Sequence, residues 1–191
     1  YVEESVYEDK IDLKFVIKET DTVFVDKINI FGNNVTKESV IRNQLELDEG
    51  DPFNEVLFTR SINNIKSLNF FKDVKTDIQN NNENETKIIT INVEEKPTGE
   101  IMAGAGFGTS GTTTTFGVKE NNYLGSGISL DAKLNLSEES IKGKMSLNNP
   151  NFNNSNKSIY TNIQSSETDR LTDFGYKTNK TGFTLGTEFE Y

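Results

Sequence analysis

The 191-residue chain has no cysteine, no histidine and no tryptophan, and only three prolines. Without cysteine there are no disulfides, thiol nucleophiles or thiolate metal sites. Without histidine as well, the commonest zinc ligand and the commonest acid–base catalyst are both missing. Asp48, Glu49 and Asp51 are acidic neighbours, but their spacing does not match a calcium loop. No nucleophile can be paired convincingly with a base other than lysine or carboxylate. No catalytic, metal or cofactor site is read from these residues. Basic residues are also short: 20 Lys and Arg stand against 30 Asp and Glu, a net charge of −10. That balance argues against a nucleic-acid partner, which would need clustered cations. Long apolar runs are lacking too; no stretch approaches the ~20 residues of a membrane helix. Membrane strands are not excluded, because they carry their apolar residues one in two. Tyr1 opens no basic, apolar and small-residue leader, so the sequence reads as beginning inside a larger protein.

What is present falls into two halves that meet near Lys96-Pro97-Thr98-Gly99. In the first half, Phe24 and the run Lys27-Ile28-Asn29-Ile30-Phe31 read as a strand ending at Gly32-Asn33-Asn34. Thr36 then reads as the N-cap of a short helix to Leu45, with Val40, Ile41 and Leu45 on its apolar face. Asn54 caps a second helix, in which Leu57, Phe58, Ile62, Ile65 and Leu68 recur at spacings of three and four. Two strands follow, from Phe71 to Gln79 and from Lys87 to Glu95, joined by a turn rich in asparagine. The order is β-α-α-β-β. Leu13, Phe15 and Ile17 repeat the pattern of Ile89, Ile91 and Val93, so residues 1–20 read as the end of a preceding copy of the module. Chance similarity of two amphipathic strands is the alternative.

The second half is rich in Gly, Thr, Asn and Ser and alternates throughout. Ile101, Ala103, Ala105 and Phe107 alternate with Met102, Gly104, Gly106 and Gly108. The pattern is cleanest where Ile128, Leu130, Ala132, Leu134 and Leu136 oppose Ser129, Asp131, Lys133 and Asn135. About six such segments, each of about ten residues, are what an antiparallel transmembrane barrel requires. A soluble antiparallel sandwich alternates in the same way. Tyr123, Phe152, Tyr160 and Tyr191 fall near strand ends, where an interfacial aromatic girdle would lie. Gly106-Phe107-Gly108-Thr109-Ser110-Gly111 satisfies a dinucleotide-binding pattern. The β-branched run Thr112–Thr115 favours a strand where that site needs a helix. The glycines are read instead as thinning a strand that pairs weakly or bends.

Several stretches resemble a known family. Val25-Asp26-Lys27-Ile28-Asn29-Ile30-Phe31-Gly32-Asn33, Asn69-Phe70-Phe71-Lys72-Asp73-Val74 and Val93-Glu94-Glu95-Lys96-Pro97-Thr98-Gly99 resemble the POTRA domain nearest the barrel in the BamA family. Gly104-Ala105-Gly106-Phe107-Gly108-Thr109, Glu120-Asn121-Asn122-Tyr123-Leu124-Gly125-Ser126-Gly127 and Asn149-Pro150-Asn151-Phe152 resemble that family's first barrel strands. The resemblance implies an α+β POTRA module at residues 21–96. It also implies an incomplete transmembrane β-barrel of antiparallel strands at 97–191. Six strands are fewer than the eight that usually close a membrane barrel.

It further implies a central component of the outer-membrane β-barrel assembly machinery of Gram-negative bacteria, with its POTRA domain in the periplasm. Its partners would be unfolded outer-membrane protein clients, accessory outer-membrane lipoproteins and membrane lipid. The candidate template strand at the barrel seam is Ile101, Ala103, Gly104, Ala105, Gly106, Phe107 and Gly108. The candidate partner surface on the first helix is Lys37, Glu38, Arg42 and Gln44, although the family has an acidic residue where Gln44 stands. The candidate client edge is Phe71, Val74, Thr76 and Ile78. Two other functions are open: a two-partner secretion transporter or related POTRA-barrel assembly factor, and a soluble all-β adhesion or glycan-binding domain.

Overall fold

The computed structural model describes residues 2–7, 10–15, 22–81, 85–108, 111–155 and 157–189. Strands β1 (Val2–Tyr7) and β2 (Lys10–Phe15) form an antiparallel hairpin. Val6, Ile11, Leu13 and Phe15 on it are exposed, so the hairpin has no core of its own.

The α+β module runs β3 (Phe24–Phe31), α1 (Glu38–Arg42), α2 (Glu55–Ser67), β4 (Phe71–Asn81) and β5 (Thr86–Glu95). This is the β-α-α-β-β order read from the sequence. Strand β5 lies in the centre of the sheet, parallel to β3 and antiparallel to β4. Both helices cover one face, and Val25, Ile28, Ile41, Ile65, Ile89 and Ile91 are almost fully buried between them and the sheet. Asn54 caps α2 as expected, its Oδ1 accepting from the N–H groups of Val56 and Leu57 at 2.9 and 3.2 Å. Helix α1 differs from expectation. It is one short turn whose N-cap is Lys37, with no side-chain cap, and Thr36 is buried in another role described below.

Three residues after β5 the chain enters a six-stranded antiparallel meander: β6 (Gly99–Gly108), β7 (Gly111–Tyr123), β8 (Ile128–Ser137), β9 (Ser140–Asn149), β10 (Lys157–Arg170) and β11 (Tyr176–Phe189). Each strand pairs with its sequence neighbours only, and β6 and β11 form the two edges. Where the dinucleotide pattern lies, the structure has two paired strands, with Thr109 and Ser110 outside the described residues.

Register aligns the alternation across the sheet. Ile101, Val118, Ala132, Met145, Ile163 and Phe183 are successive cross-strand partners, so one apolar row crosses all six strands on one face. Its flanking rows include Phe116 with Leu134 and Leu130 with Leu147. Ile101 is 87% exposed and Phe183 67%, so nothing among the described residues packs on the two ends of this row. The opposite face carries Thr115, Lys133, Asn135, Lys144, Asn162 and Gln164. An outward apolar band backed by a polar interior is the pattern of a membrane barrel wall.

The aromatic girdle needs one correction. Tyr160 is paired with Asn148 and Gly186 on the polar face, and its ring lies across Gly186. Tyr123 ends β7 and Phe152 lies in the turn before β10, while Tyr191 falls outside the described residues.

Candidate functional site

The candidate template strand is β6. It pairs with β7 without a break from Gly99↔Glu120 to Gly108↔Gly111. Its other side has no strand partner among the described residues. Ile101 and Phe107 project from it almost fully exposed. A Cβ built at Gly104, Gly106 or Gly108 would meet no atom within 4 Å. The ladder is regular, and no close approach requires glycine at these positions.

Sequence reasoning missed the junction that holds the start of β6. The carbonyl of Thr98 accepts from the backbone N–H and the Nδ2 of Asn121, at 3.3 and 3.2 Å. The hydroxyl of Thr98 donates to Glu120 Oε1, which also accepts from the Asn122 N–H at 2.8 Å. Asn122, only 5% exposed, donates through Nδ2 to Thr36 Oγ1 at 2.8 Å. Its Oδ1 accepts from the Gly127 N–H at 2.8 Å. The turn between β7 and β8 is thus braced from within and joined to the loop that leads into α1.

Two further bonds complete the contact. The Lys37 N–H donates to the Gly125 carbonyl at 2.8 Å, and Lys37 Nζ donates to Ser126 Oγ at 2.8 Å. Gly125 is required twice over. Its φ is +67°, and a Cβ there would lie 1.9 Å from the Val35 carbonyl oxygen.

Glu95, at the end of β5, holds the other side of the same loop. Its carboxylate accepts from the N–H groups of Asn34, Val35 and Thr36 at 2.9, 2.9 and 2.7 Å. Burial alone would raise this carboxyl, but the hydrogen bonds from Thr36, Val35 and Asn34 outweigh it and hold the group below the usual carboxylate range. Thr36 therefore belongs to the junction, bonded on one side to Glu95 and on the other to Asn122. The only sequence signal for it was two polar segments, Asn33–Thr36 and Glu120–Gly127, 86 residues apart between Thr36 and Asn122.

The candidate partner surface on α1 is only partly free. Lys37 is engaged by the β7–β8 turn. Arg42 pairs with Glu38 at 2.7 Å and with Glu49 at 3.7 Å, and donates to the Ile28 carbonyl. Gln44 accepts at its backbone carbonyl from Asn64 Nδ2 at 3.3 Å and is one of the residues lining a cleft of about 200 Å³ between α1 and the two nearest barrel turns. The candidate client edge is at the sheet margin, since β4 is an outer strand. Phe71 and Val74 turn into the core, while Thr76 and Ile78 are exposed. Lys72 and Lys75 flank this edge, paired with Glu94 and Asp73, an arrangement that discourages indiscriminate strand pairing. The structure does not bring β4 and β6 together; they belong to separate sheets.

Comparison with known proteins accords with this geometry. The family model for POTRA, described as a surface antigen variable number repeat, matches residues 23–96. The outer membrane protein assembly factor BamA of Buchnera aphidicola is 34% identical over 122 residues, covering 63% of this chain and 20% of the relative. BamA of Nitratidesulfovibrio vulgaris is 25% identical over 163 residues, covering 82% of this chain and 20% of the relative. The chain therefore spans about a fifth of the length of such relatives. Among solved structures, BamA from Haemophilus ducreyi lacking POTRA domains 1–3 superposes with a TM-score of 0.75 at 24% identity. That match covers 96% of this chain and 36% of the other. CdiB from Acinetobacter baumannii reaches 0.53 at 13% identity, covering 87% and 34%. Residues 23–96 thus form a POTRA domain, and across both of its parts the chain is similar to the BamA family of outer-membrane protein assembly factors.

Proposed function

We propose that the protein folds and inserts β-barrel precursors into the outer membrane, with the POTRA module in the periplasm and β6 as the template strand. The observation that carries this reading is the order of the chain, a POTRA module joined directly to β6 as the first strand of the meander. That strand belongs to a lipid-facing sheet and is tethered at its start by the Thr98–Glu120–Asn122 network. An unpaired strand edge in lipid costs several kcal/mol per unsatisfied backbone group. A protein that offers its own edge to an incoming strand lowers that cost by β-augmentation. The chemistry asked of the protein is strand pairing, and no bond is made or broken. On this reading the β1–β2 hairpin closes a preceding POTRA copy, whose helices would cover its exposed apolar residues. Free positions of α1 and the margin of β4 are the surfaces offered to accessory lipoproteins and to clients.

The test is folding of an unfolded outer-membrane protein into liposomes holding the intact parent chain. Heat-modifiable, protease-resistant client is measured over time. Acceleration is expected. A parent that is folded and correctly oriented but gives none, with accessory lipoproteins present, overturns the reading and points to polypeptide export. A disulfide locking β6 to the barrel's closing strand is expected to abolish the acceleration. Full activity in the locked form would eliminate β6 as template.

A further inference from the structure

The polar face of the sheet is basic, although the chain as a whole is acidic. Rows of cross-strand partners place Lys133 directly opposite Lys144, and Lys142 between Asn135 and Ser166. Ser166 is in turn opposite Lys180 on β11. Like charges directly opposed across a ladder destabilise it. Lys133 is relieved by Asp131 at 3.5 Å. Among the described residues Lys142, Lys144 and Lys180 have no carboxylate partner.

These three lysines line one cavity of about 320 Å³, together with Asn135, Gln164 and Ser166. Among the described residues no aspartate or glutamate lines it. Its floor is shaped by Gly182, opposite Gln164: a Cβ at Gly182 would lie 3.1 Å from Gln164 Nε2, so the bare backbone leaves space for the amide to lie over β11. The cavity therefore offers three ammonium groups, two amide donors and a hydroxyl, with no competing carboxylate.

We propose that this cavity binds a small multivalent oxyanion of the pyrophosphate type. Charge-assisted hydrogen bonds from several lysines are the strong contacts such a ligand makes, and a bound anion removes the repulsion between the strands that carry them. Given the barrel reading, the cavity faces the water-filled interior, opposite the apolar band. The ligand therefore comes from solution, and lipid headgroups on the other face cannot reach it.

The experiment uses the intact parent protein in detergent, titrated with inorganic pyrophosphate by calorimetry. Saturable binding of one anion is expected. The combined Lys142→Ala, Lys144→Ala and Lys180→Ala variant should bind roughly tenfold or more weakly, from loss of its charge-assisted contacts. Gly182→Leu, which keeps every charge but fills the cavity, should weaken binding as well. Lys72→Ala with Lys75→Ala, remote on β4, should not. Absence of saturable binding by the parent overturns the proposal; so does a triple variant or a Gly182→Leu variant that binds like the parent. Should the triple variant lose its heat-modifiable fold, Gly182→Leu alone decides. Client insertion is measured on the same preparations, so a failed anion site leaves the assembly reading standing.

Discussion

Glu95 shows how much of this architecture rests on single side chains. Three backbone N–H groups of one loop converge on its carboxylate, and the hydroxyl of the last residue in that loop carries the bond to the barrel turn. Because the carboxyl is held below its ordinary value in the folded chain, its contribution is fully present above the unfolded pKa. It is lost as pH falls through the folded one. Stability of the wild-type chain should thus decline below about pH 4.5, and Glu95→Gln should flatten that decline in urea titrations between neutral and acid pH. An unchanged slope would remove Glu95 as a contributor. Glu95→Ala leaves the buried Thr36 N–H without its acceptor and should cost about 1–3 kcal/mol at neutral pH. Gly125→Ala acts on the other side of the loop. The added methyl must displace Val35, so the turn should part from the loop, seen as faster proteolysis between Glu95 and Gly99. A cleavage rate equal to wild type would count against a close contact there. The stretches that meet here stood out in the sequence, but the contact between them did not. A threonine before a short helix carries the same local signal whether it caps the helix or faces a distant asparagine, and here the distant partner won.

At the level of the element, the strands and α2 were the legible part. Isoleucines at 62 and 65 with a capping Asn54 specify a helix locally, and period-two alternation specifies β8 without reference to any neighbour. Tyr160 was misplaced because it was assigned by nearness to a strand end. Parity with Ile159 and Ile163 already put it on the opposite face. The glycines of β6 were legible as unusual, but their consequence was not, because it depends on which side of the strand is paired. With open space around Gly104 and Gly106, replacing both by valine should leave the fold intact. It should stiffen the strand by up to about 1 kcal/mol. If the slender free edge serves as template, the same change should slow client insertion while heat modifiability stays normal. Insertion at the wild-type rate would show that the glycines have no part in templating.

At the level of the whole molecule, one covalent chain joins a module with a buried core to a sheet that carries an exposed apolar row on one face. The two parts obey opposite solvent rules, and this is why mean hydropathy and helix-length criteria miss the membrane: among the described residues no helix is long and apolar enough to cross one, while the row from Ile101 to Phe183 supplies the apolar band by register alone. Sequence alternation made each face legible strand by strand. That the faces join into one row could be seen only from the pairing. Adjacent residues of β10 give a sharp test, since Ile163 lies in that row and Asn162 on the opposite face between Ser146 and Thr184. Ile163→Arg places a charge against lipid and should cost about 2–4 kcal/mol if the row lies near the bilayer midplane. Asn162→Arg puts the same side chain into the polar interior and should cost little. Reversible unfolding of the parent protein in lipid vesicles measures both. Equal costs would mean that the two faces share one solvent and that this sheet does not stand in a membrane, whereas a penalty confined to Ile163 fixes which side of the wall meets lipid.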